Sequence, residues 1–220
     1  MVLSKKHIIE RIKSGEIQFD PMIDGFQLQP HSVDLRLGYD FHIPRTWELT
    51  KEGRKVINID PFDESSKSNF EKVTLEPGQS FEFLPKEYVI ATTLEIINLK
   101  SKELMAILFP RSSVNRRGLA VDLSGIVDVG YHGKLMIPLV NNTDEQIIKV
   151  YPGERICQII FEKISSPIPP KQMLNHGLAK AKYHAAIGGF MPGKTDKLEE
   201  INLIKKGKIS QLKQIYSLKI

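Results

Sequence analysis

The sequence of 220 residues predicts a mainly β protein of the sandwich or barrel type, with a short helix near each end. Two observations support this fold class. Short segments rich in Val, Ile, Thr, Phe and Tyr recur between Gly, Pro, Asp and Asn, with no long helical segments between them. The hydrophobic fraction of 41% and the charged fraction of 26% are typical of a globular chain.

The first element along the chain is a predicted helix. Ser4 is its candidate N-cap, Ile8 and Ile12 fall on one face, and Gly15 can end it. The strand-like segments that follow share a β-branched and aromatic composition, and in order they are SVDLRL, KVINI, KVTL, SFEFL, YVIATTLEI, LMAILF, KLMIPLV, QIIKVY and RICQIIFEKI. The spacing of Ile209, Leu212, Ile215 and Tyr216 predicts a short amphipathic helix at the C-terminus.

The distribution of charge predicts a domain boundary near residue 193. The net charge is +5, and residues 194–220 contribute +4 of it through seven lysines and three acidic residues. We therefore expect a nearly neutral domain at 1–193 and a basic amphipathic extension at 194–220. The extension either contacts nucleic acid or docks its apolar face on the domain or a neighbouring subunit, which leaves its lysines in solvent.

Composition excludes several classes of protein. Cys157 is the only cysteine, which excludes a disulfide scaffold and a cysteine-rich zinc site. The six histidines show neither H-x-H nor H-E-x-x-H spacing. The N-terminus has no apolar stretch typical of a signal peptide, and no segment approaches a membrane span, so we expect a cytoplasmic location.

Two segments place charged residues next to apolar strand positions. In HSVDLRLG, Asp34 and Arg36 alternate with apolar residues and share one strand face, which indicates either a solvent-facing ion pair or a binding site. In PRSSVNRRGL, Arg111, paired serines and a glycine supply forked and short donors for several phosphate oxygens. The alternative for this second segment is a basic surface turn.

Two further segments carry polar side chains in otherwise apolar surroundings. In GIVDVGYHGKL, Asp128 is either a general base or a local hydrogen-bond acceptor at a turn, and Tyr131 can pack on a sugar or base. In PGERICQIIF, Gln158 interrupts an apolar run. A buried amide needs hydrogen-bond partners, and a ligand phosphate is one possible partner.

In this order, the four segments resemble those of the dUTPase and dCTP deaminase superfamily. The resemblance covers residues 1–193, including an N-terminal segment similar to that of the deaminase branch and a Lys182-Tyr183 pair before a glycine-rich stretch. It implies a distorted jelly-roll subunit, a homotrimer with active sites at subunit interfaces, and deoxynucleoside triphosphate and Mg²⁺ as ligands.

The two branches differ at one position that this sequence changes. The resemblance implies that deaminases of the superfamily share a glutamate ten residues after the aspartate of the third segment, which is Asp128 here. This chain has Pro138 at that position. Proline cannot move a proton, and general acid–base catalysis needs a titratable group. The expected function is therefore a dUTP diphosphatase that forms dUMP and pyrophosphate. The alternatives are a dCTP deaminase, with or without dUTPase activity, and a non-catalytic nucleotide-binding regulator.

The resemblance also implies roles for individual residues. Asp128 would activate the water that attacks the α-phosphorus, and Tyr131 would stack on the deoxyribose. Asp34 would help hold Mg²⁺ through a water molecule. The residues implied to bind the phosphates are Arg111, Ser112, Ser113, Arg116 and Gln158.

Recognition of the base is expected to depend on the third segment and the glycine-rich stretch. Asp122 stands where typical dUTPases carry an asparagine. Backbone groups near Ser124 and Ile126 would therefore recognise uracil. Phe190 would cover the base, although its surroundings depart from the usual pattern. The remaining residues implied to contact substrate are Lys182 and Tyr183.

Overall fold

A computed structural model describes residues 1–60, 69–123, 125–173, 175–176, 179–180 and 197–216. The chain divides into two compact units. Unit 1 comprises Met1–Pro44 and Phe70–Phe190, and unit 2 comprises Arg45–Asn69 and Met191–Ile220.

The elements are short strands with few helices, as the sequence predicts. The helices are α1 (Lys5–Lys13), α2 (Ser112–Asn115), α3 (Pro170–Met173), α4 (Leu198–Lys205) and α5 (Ile209–Ile215). The strands are β1 (Ile17–Asp20), β2 (Val33–Pro44), β3 (Trp47–Thr50), β4 (Gly53–Val56), β5 (Phe70–Thr74), β6 (Phe81–Phe83), β7 (Tyr88–Leu99), β8 (Leu104–Pro110), β9 (Leu119–Val121), β10 (Ile126–Val127), β11 (His132–Asn141), β12 (Ile148–Val150), β13 (Arg155–Lys163), β14 (Asn175–His176) and β15 (Ala179–Lys180). The prediction of a mainly β fold with short helices near both ends is confirmed.

Unit 1 is built on a curled antiparallel sheet of nine strands. Seven of them follow the order β10-β8-β13-β2-β7-β11-β9, while β1 pairs with β7 and β5 pairs with β2. The first half of β2 pairs with β13 and its second half pairs with β5, so this strand connects two parts of the sheet. The result is the half-barrel expected of a jelly-roll subunit.

Alternation of side chains explains why these segments form strands. Buried and half-buried residues alternate along the whole of β11, which is typical of an antiparallel strand with one face on the core. A close approach between β2 and β7 depends on Gly38, because a Cβ at this position would lie 2.9 Å from the carbonyl oxygens of Thr92 and Thr93. Any larger residue at position 38 would push these two strands apart.

The core of unit 1 lies against the inner face of the sheet and includes several aromatic contacts. Phe41 stacks on Phe81 with ring centroids 4.5 Å apart, and Phe81 meets Phe83 edge-on at 4.9 Å. Ile8 of α1 is fully buried, which attaches the N-terminal helix to this unit. Large buried rings and aliphatic chains supply most of the hydrophobic stabilisation of such a sheet.

Unit 2 contains a β3–β4 hairpin and the two C-terminal helices, α4 and α5. The guanidinium of Arg54 lies 4.3 Å from the centroid of the Trp47 ring, a cation–π contact across the hairpin. In α4, Ile201 is buried and the Lys205 ammonium lies 3.7 Å from the Asp60 carboxylate. Within the described ranges, no helix is both long enough and apolar enough to cross a membrane.

Candidate active site

Two arginines surround a buried carboxylate where β2, β8 and β13 lie side by side. The Oδ2 atom of Asp34 lies 3.1 Å from Nη1 of Arg155 and 3.3 Å from Nε of Arg111. Nη1 of Arg111 also donates to the carbonyl oxygen of Arg155 at 2.8 Å. We call Asp34, Arg111 and Arg155 the arginine cluster. Arg155 was not among the predicted site residues, although it lies in the fourth segment.

Burial dominates the electrostatics of Asp34. Its side chain is only 4% exposed, and burial raises its pKa, while the charges of Arg111 and Arg155 oppose that rise. The interpretation of Asp34 and Arg36 as a solvent-facing pair is wrong, because Arg36 pairs instead with Asp24 at 2.7 Å. The alternation along β2 predicted a shared face but could not show that Arg111 and Arg155 contact Asp34 there.

A one-turn helix, α2, presents the predicted phosphate-binding residues. Val114 is buried and anchors the turn, while Ser112, Ser113 and Arg116 are exposed around it. The Arg111 carbonyl accepts from the backbone N–H of Asn115 at 3.2 Å, so the arginine cluster fixes the start of the helix. Two nitrogen atoms of the Arg111 guanidinium are used within the protein, which makes this residue a support for α2.

Gln158 lies on β13 directly opposite Asp34 of β2. It is half-buried, and its amide makes only long contacts of 3.4 Å with the Ser32 hydroxyl and 3.5 Å with the Pro110 carbonyl. Hydrogen bonds at these distances are weak. The amide can therefore turn to a ligand at little cost, and its role in binding phosphate stays a prediction.

A second buried carboxylate, Glu95 of β7, also supports this region. Its Oε1 accepts from Nε2 of Gln27 at 2.7 Å, and its Oε2 accepts from the backbone N–H of Arg36 at 3.0 Å. Gln27 donates as well to the Asp34 carbonyl at 2.9 Å. Glu95 therefore connects β7 to β2, the strand that carries Asp34. A lone carboxylate in the apolar run TTLEIINL was the signal that could have identified it.

The environment of Glu95 predicts a pH-dependent contribution to stability. Burial raises the pKa of Glu95, and the hydrogen bonds from Arg36 and Gln27 oppose the rise. A raised folded-state pKa means that stability is fully present below the unfolded pKa and is lost as pH rises through the folded pKa. We expect the free energy of unfolding of the wild type, relative to Glu95→Gln, to fall in urea titrations as the pH rises above the ordinary glutamate pKa of 4.5.

Glu82→Gln provides the control for this experiment. The Glu82 side chain is 50% exposed and pairs with Lys149 on the surface. The same urea titrations on this variant test whether burial is the cause. A constant difference between wild type and Glu95→Gln across the pH range would contradict the assignment.

The third segment, GIVDVGYHGKL, lies in a hairpin whose two arms separate. At its base, β9 pairs with β11 through Val121 and Leu139. Further out, β10 pairs with β8 through Ile126 and Ile107, so this arm has moved to a different neighbour. We call the opening between the residues after β9 and the facing part of β11 the split hairpin. Strand edges that separate in this way offer backbone donors and acceptors to a flat ligand.

The tip of the split hairpin holds Asp128 and Tyr131. Asp128 is half-buried, and its carbonyl accepts from the backbone N–H of Tyr131 at 3.1 Å in a tight turn. Gly130 has a φ of 81°, a left-handed conformation that glycine adopts without strain. The Tyr131 hydroxyl donates to the Lys134 carbonyl at 2.8 Å, and burial raises the pKa of this phenol. The turn therefore holds Asp128 in a defined position beside an aromatic ring.

Some predicted residues cannot be placed in the site. Ile126 is described, with its side chain 63% exposed on β10. The predicted residues that lie outside the described ranges are Ser124, Lys182, Tyr183 and Phe190. Their roles in binding substrate stay predictions.

The predicted role of Asp34 toward Mg²⁺ does not fit its surroundings. The carboxylate is buried and shares Oδ2 between two guanidinium groups, whose positive charges disfavour a nearby cation. Across the described part of the chain, no group of three or more His, Cys, Asp or Glu residues could hold a metal ion. Mg²⁺ stays a prediction.

Two known proteins with similar sequences carry the name of a deaminase. A protein from Methanosphaera stadtmanae named "dCTP deaminase, dUMP-forming" is 32% identical over 212 residues, which cover 94% of this chain and 99% of that protein. A protein of the same name from Dictyoglomus thermophilum is 37% identical over 190 residues, covering 86% of this chain and 92% of that protein.

A solved structure supports the fold. The 2'-deoxycytidine 5'-triphosphate deaminase from Agrobacterium tumefaciens superposes with a TM-score of 0.56 at 20% identity. The superposition covers 78% of this chain and half the length of that protein. This likeness confirms the curled β architecture of unit 1.

The prediction of a dUTP diphosphatase is wrong. It depended on one position, Pro138, whereas the similarity to relatives named "dCTP deaminase, dUMP-forming" extends over nearly the whole chain. A proline at one strand position removes one side-chain carboxylate but leaves the fold and the other motifs unchanged. The expectation of an enzyme of nucleotide metabolism holds at the level of the family.

A family model described as dCTP deaminase-like matches residues 2–164. This range includes all four motifs, the arginine cluster and the split hairpin. The chain therefore belongs to the dCTP deaminase-like family.

Proposed function

We propose that this chain converts dCTP to dUMP, with release of ammonia and pyrophosphate. The observation that carries the proposal is the similarity to a dUMP-forming dCTP deaminase over 94% of this chain and 99% of that protein. The overall change consumes two water molecules, one at C4 of cytosine and one at the α-phosphorus. The chain must therefore bind a triphosphate and a pyrimidine base.

The phosphates fit the surface beside the arginine cluster. The exposed serine hydroxyls and Arg116 on α2, together with the weakly held amide of Gln158, are donors suited to phosphate oxygens. The buried ion pairs of Asp34 hold the supporting arginines in place before a ligand arrives. Such preorganised donors lower the cost of binding and stabilise charge that develops at phosphorus.

The base and sugar fit the split hairpin. Asp128 at its tip would accept a proton from the water that attacks the α-phosphorus, and Tyr131 would pack on the deoxyribose. The backbone edge of β11 would bind the polar edge of the pyrimidine. We also keep the homotrimer in the proposal, since the resemblance implies that neighbouring subunits complete each site.

Incubation of the full chain with dCTP tests the proposal. We expect ammonia, pyrophosphate and dUMP in equal amounts, with nucleotides resolved by chromatography and ammonia measured by a coupled assay. Ammonia with dUTP as the final nucleotide would support deamination and contradict the dUMP-forming step. Absence of ammonia under conditions where dCTP binds would contradict the proposal.

A second candidate function is a non-catalytic nucleotide-binding module. Pro138 favours it, because the glutamate of the deaminases that this chain resembles is missing at this position. Calorimetric binding of dCTP without any product after long incubation would support this candidate over the first.

A further inference from the structure

Pro138 faces an aspartate that directly follows the neighbouring strand, β9. The register Leu139 to Val121 places Asp122 directly opposite Pro138, and the backbone N–H of Asp122 donates to the Pro138 carbonyl at 3.0 Å. Opposed residues of an antiparallel pair have Cβ atoms about 4.5–5.5 Å apart. A side chain at position 122 therefore begins within one side-chain length of a side chain at position 138.

The strand geometry explains why a proline is tolerated here. Since the Pro138 carbonyl points toward β9, the missing N–H of the proline also lies on that side, away from the ladder with β7. Pro138 cannot return a hydrogen bond to Asp122, and the paired strands end at Val121 and Leu139. Asp122 and Pro138 thus form the base of the split hairpin.

Both side chains lie on the outer face of the sheet. Val121 and Leu139 are buried. In the next pair along the register, Asp122 is exposed and Pro138 is half-buried. Burial raises the pKa of the nearby Tyr88 phenol, and the charge of Asp122 raises it further. The Asp122 carboxylate therefore lies near the Tyr88 ring of β7, at the base of the opening that would hold the pyrimidine.

We propose that Asp122 is the proton-transferring carboxylate of the deamination, in place of a side chain at position 138. This inference rests on the proposed function. The oxygen of a water molecule forms a bond to C4, and Asp122 moves one water proton to N3. It then moves the C4 hydroxyl proton to the exocyclic nitrogen. The C4–N bond breaks, ammonia leaves with the bonding electrons, and the carbonyl of the uracil ring forms.

The first test replaces the carboxylate with an amide of the same shape. We expect Asp122→Asn to release ammonia from dCTP about 100-fold more slowly or worse, because an amide cannot accept the proton. Binding of dCTP, measured by calorimetry, should persist. The matched control is Asp144→Asn, since the Asp144 side chain is 85% exposed and pairs with Lys86 on the surface.

The second test moves the carboxylate across the strand pair. We expect the double variant Asp122→Asn, Pro138→Glu to release ammonia faster than Asp122→Asn alone, because it restores a carboxylate at the same base of the split hairpin. A purely structural role of Asp122 would not produce this recovery. Asp122→Glu keeps a carboxylate and should release ammonia faster than Asp122→Asn. It tests the role of the carboxylate even if Asp122→Asn impairs folding.

The outcomes separate the two proposals. A wild-type protein that releases no ammonia would overturn the proposed function, and the role of Asp122 with it. A wild-type protein that releases ammonia, together with an Asp122→Asn variant of equal rate, would overturn only the assignment of Asp122. Loss in the single variant with recovery in the double variant supports both.

Discussion

Asp128→Asn is expected to change the product of the reaction from dUMP to dUTP. Cleavage at the α-phosphorus should slow by about 10²–10⁴-fold, since an amide cannot take a proton from the attacking water. Ammonia release should continue, because the proposed site of deamination, at Asp122, is at the opposite end of the split hairpin. The turn should persist, since its hydrogen bond is donated by the Tyr131 backbone to the backbone carbonyl of residue 128.

The measurement follows both products of one reaction. Chromatography of a dCTP incubation gives the ratio of dUTP to dUMP, and a coupled assay gives the ammonia. Asp144→Asn serves again as the surface control. Undiminished dUMP formation by Asp128→Asn would remove Asp128 from its role as general base, while a loss of ammonia as well would show that the residue acts in binding.

Asp34→Ala is expected to have the largest effect on stability. Removing one partner of a buried ion pair leaves an uncompensated buried charge, which costs about 3–5 kcal/mol. In this chain, two guanidinium groups lose the same carboxylate, and Arg111 also holds the start of α2. We therefore expect a lower free energy of unfolding together with weaker binding of triphosphate.

Urea unfolding measures this effect, with all variants at one protein concentration because association changes apparent stability. The control is Asp144→Ala, which breaks an exposed pair and should change the free energy of unfolding by about 1 kcal/mol or less. Equal stability of Asp34→Ala and this control would contradict a structural role for the arginine cluster.

Much of the fold could be predicted from local patterns. The long strands β7 and β11 each contain a predicted segment, β13 covers all but the last residue of another, and the N-terminal helix ends close to its predicted glycine. Short elements such as β1, β9 and β10 were not predicted as separate strands. Two to four residues give too little alternation for a pattern to be recognised, and their pairing partners are distant in sequence.

The functional region could be predicted less completely. The order of the motifs identified the superfamily, but the choice of branch from Pro138 was wrong. The sequence shows only that position 138 has no carboxylate. Without the strand register, it does not show that Asp122 is the cross-strand neighbour of Pro138. Arg155 was missed for the same reason, since its contact with Asp34 joins residues more than 50 positions apart, whereas the position of Glu95 in an apolar run was a signal in the sequence.

The sequence by itself determined the fold class, the superfamily, and the polar side chains available for chemistry. Local periodicity and the order of motifs can both be recognised from the order of residues along the chain. Only the tertiary structure decided which charges meet. It buried Asp34 between Arg111 and Arg155, and it set Asp122 against Pro138. Strand register and burial arise from pairing between distant segments, and these two properties determine which carboxylates can pair with arginine and which can meet a substrate.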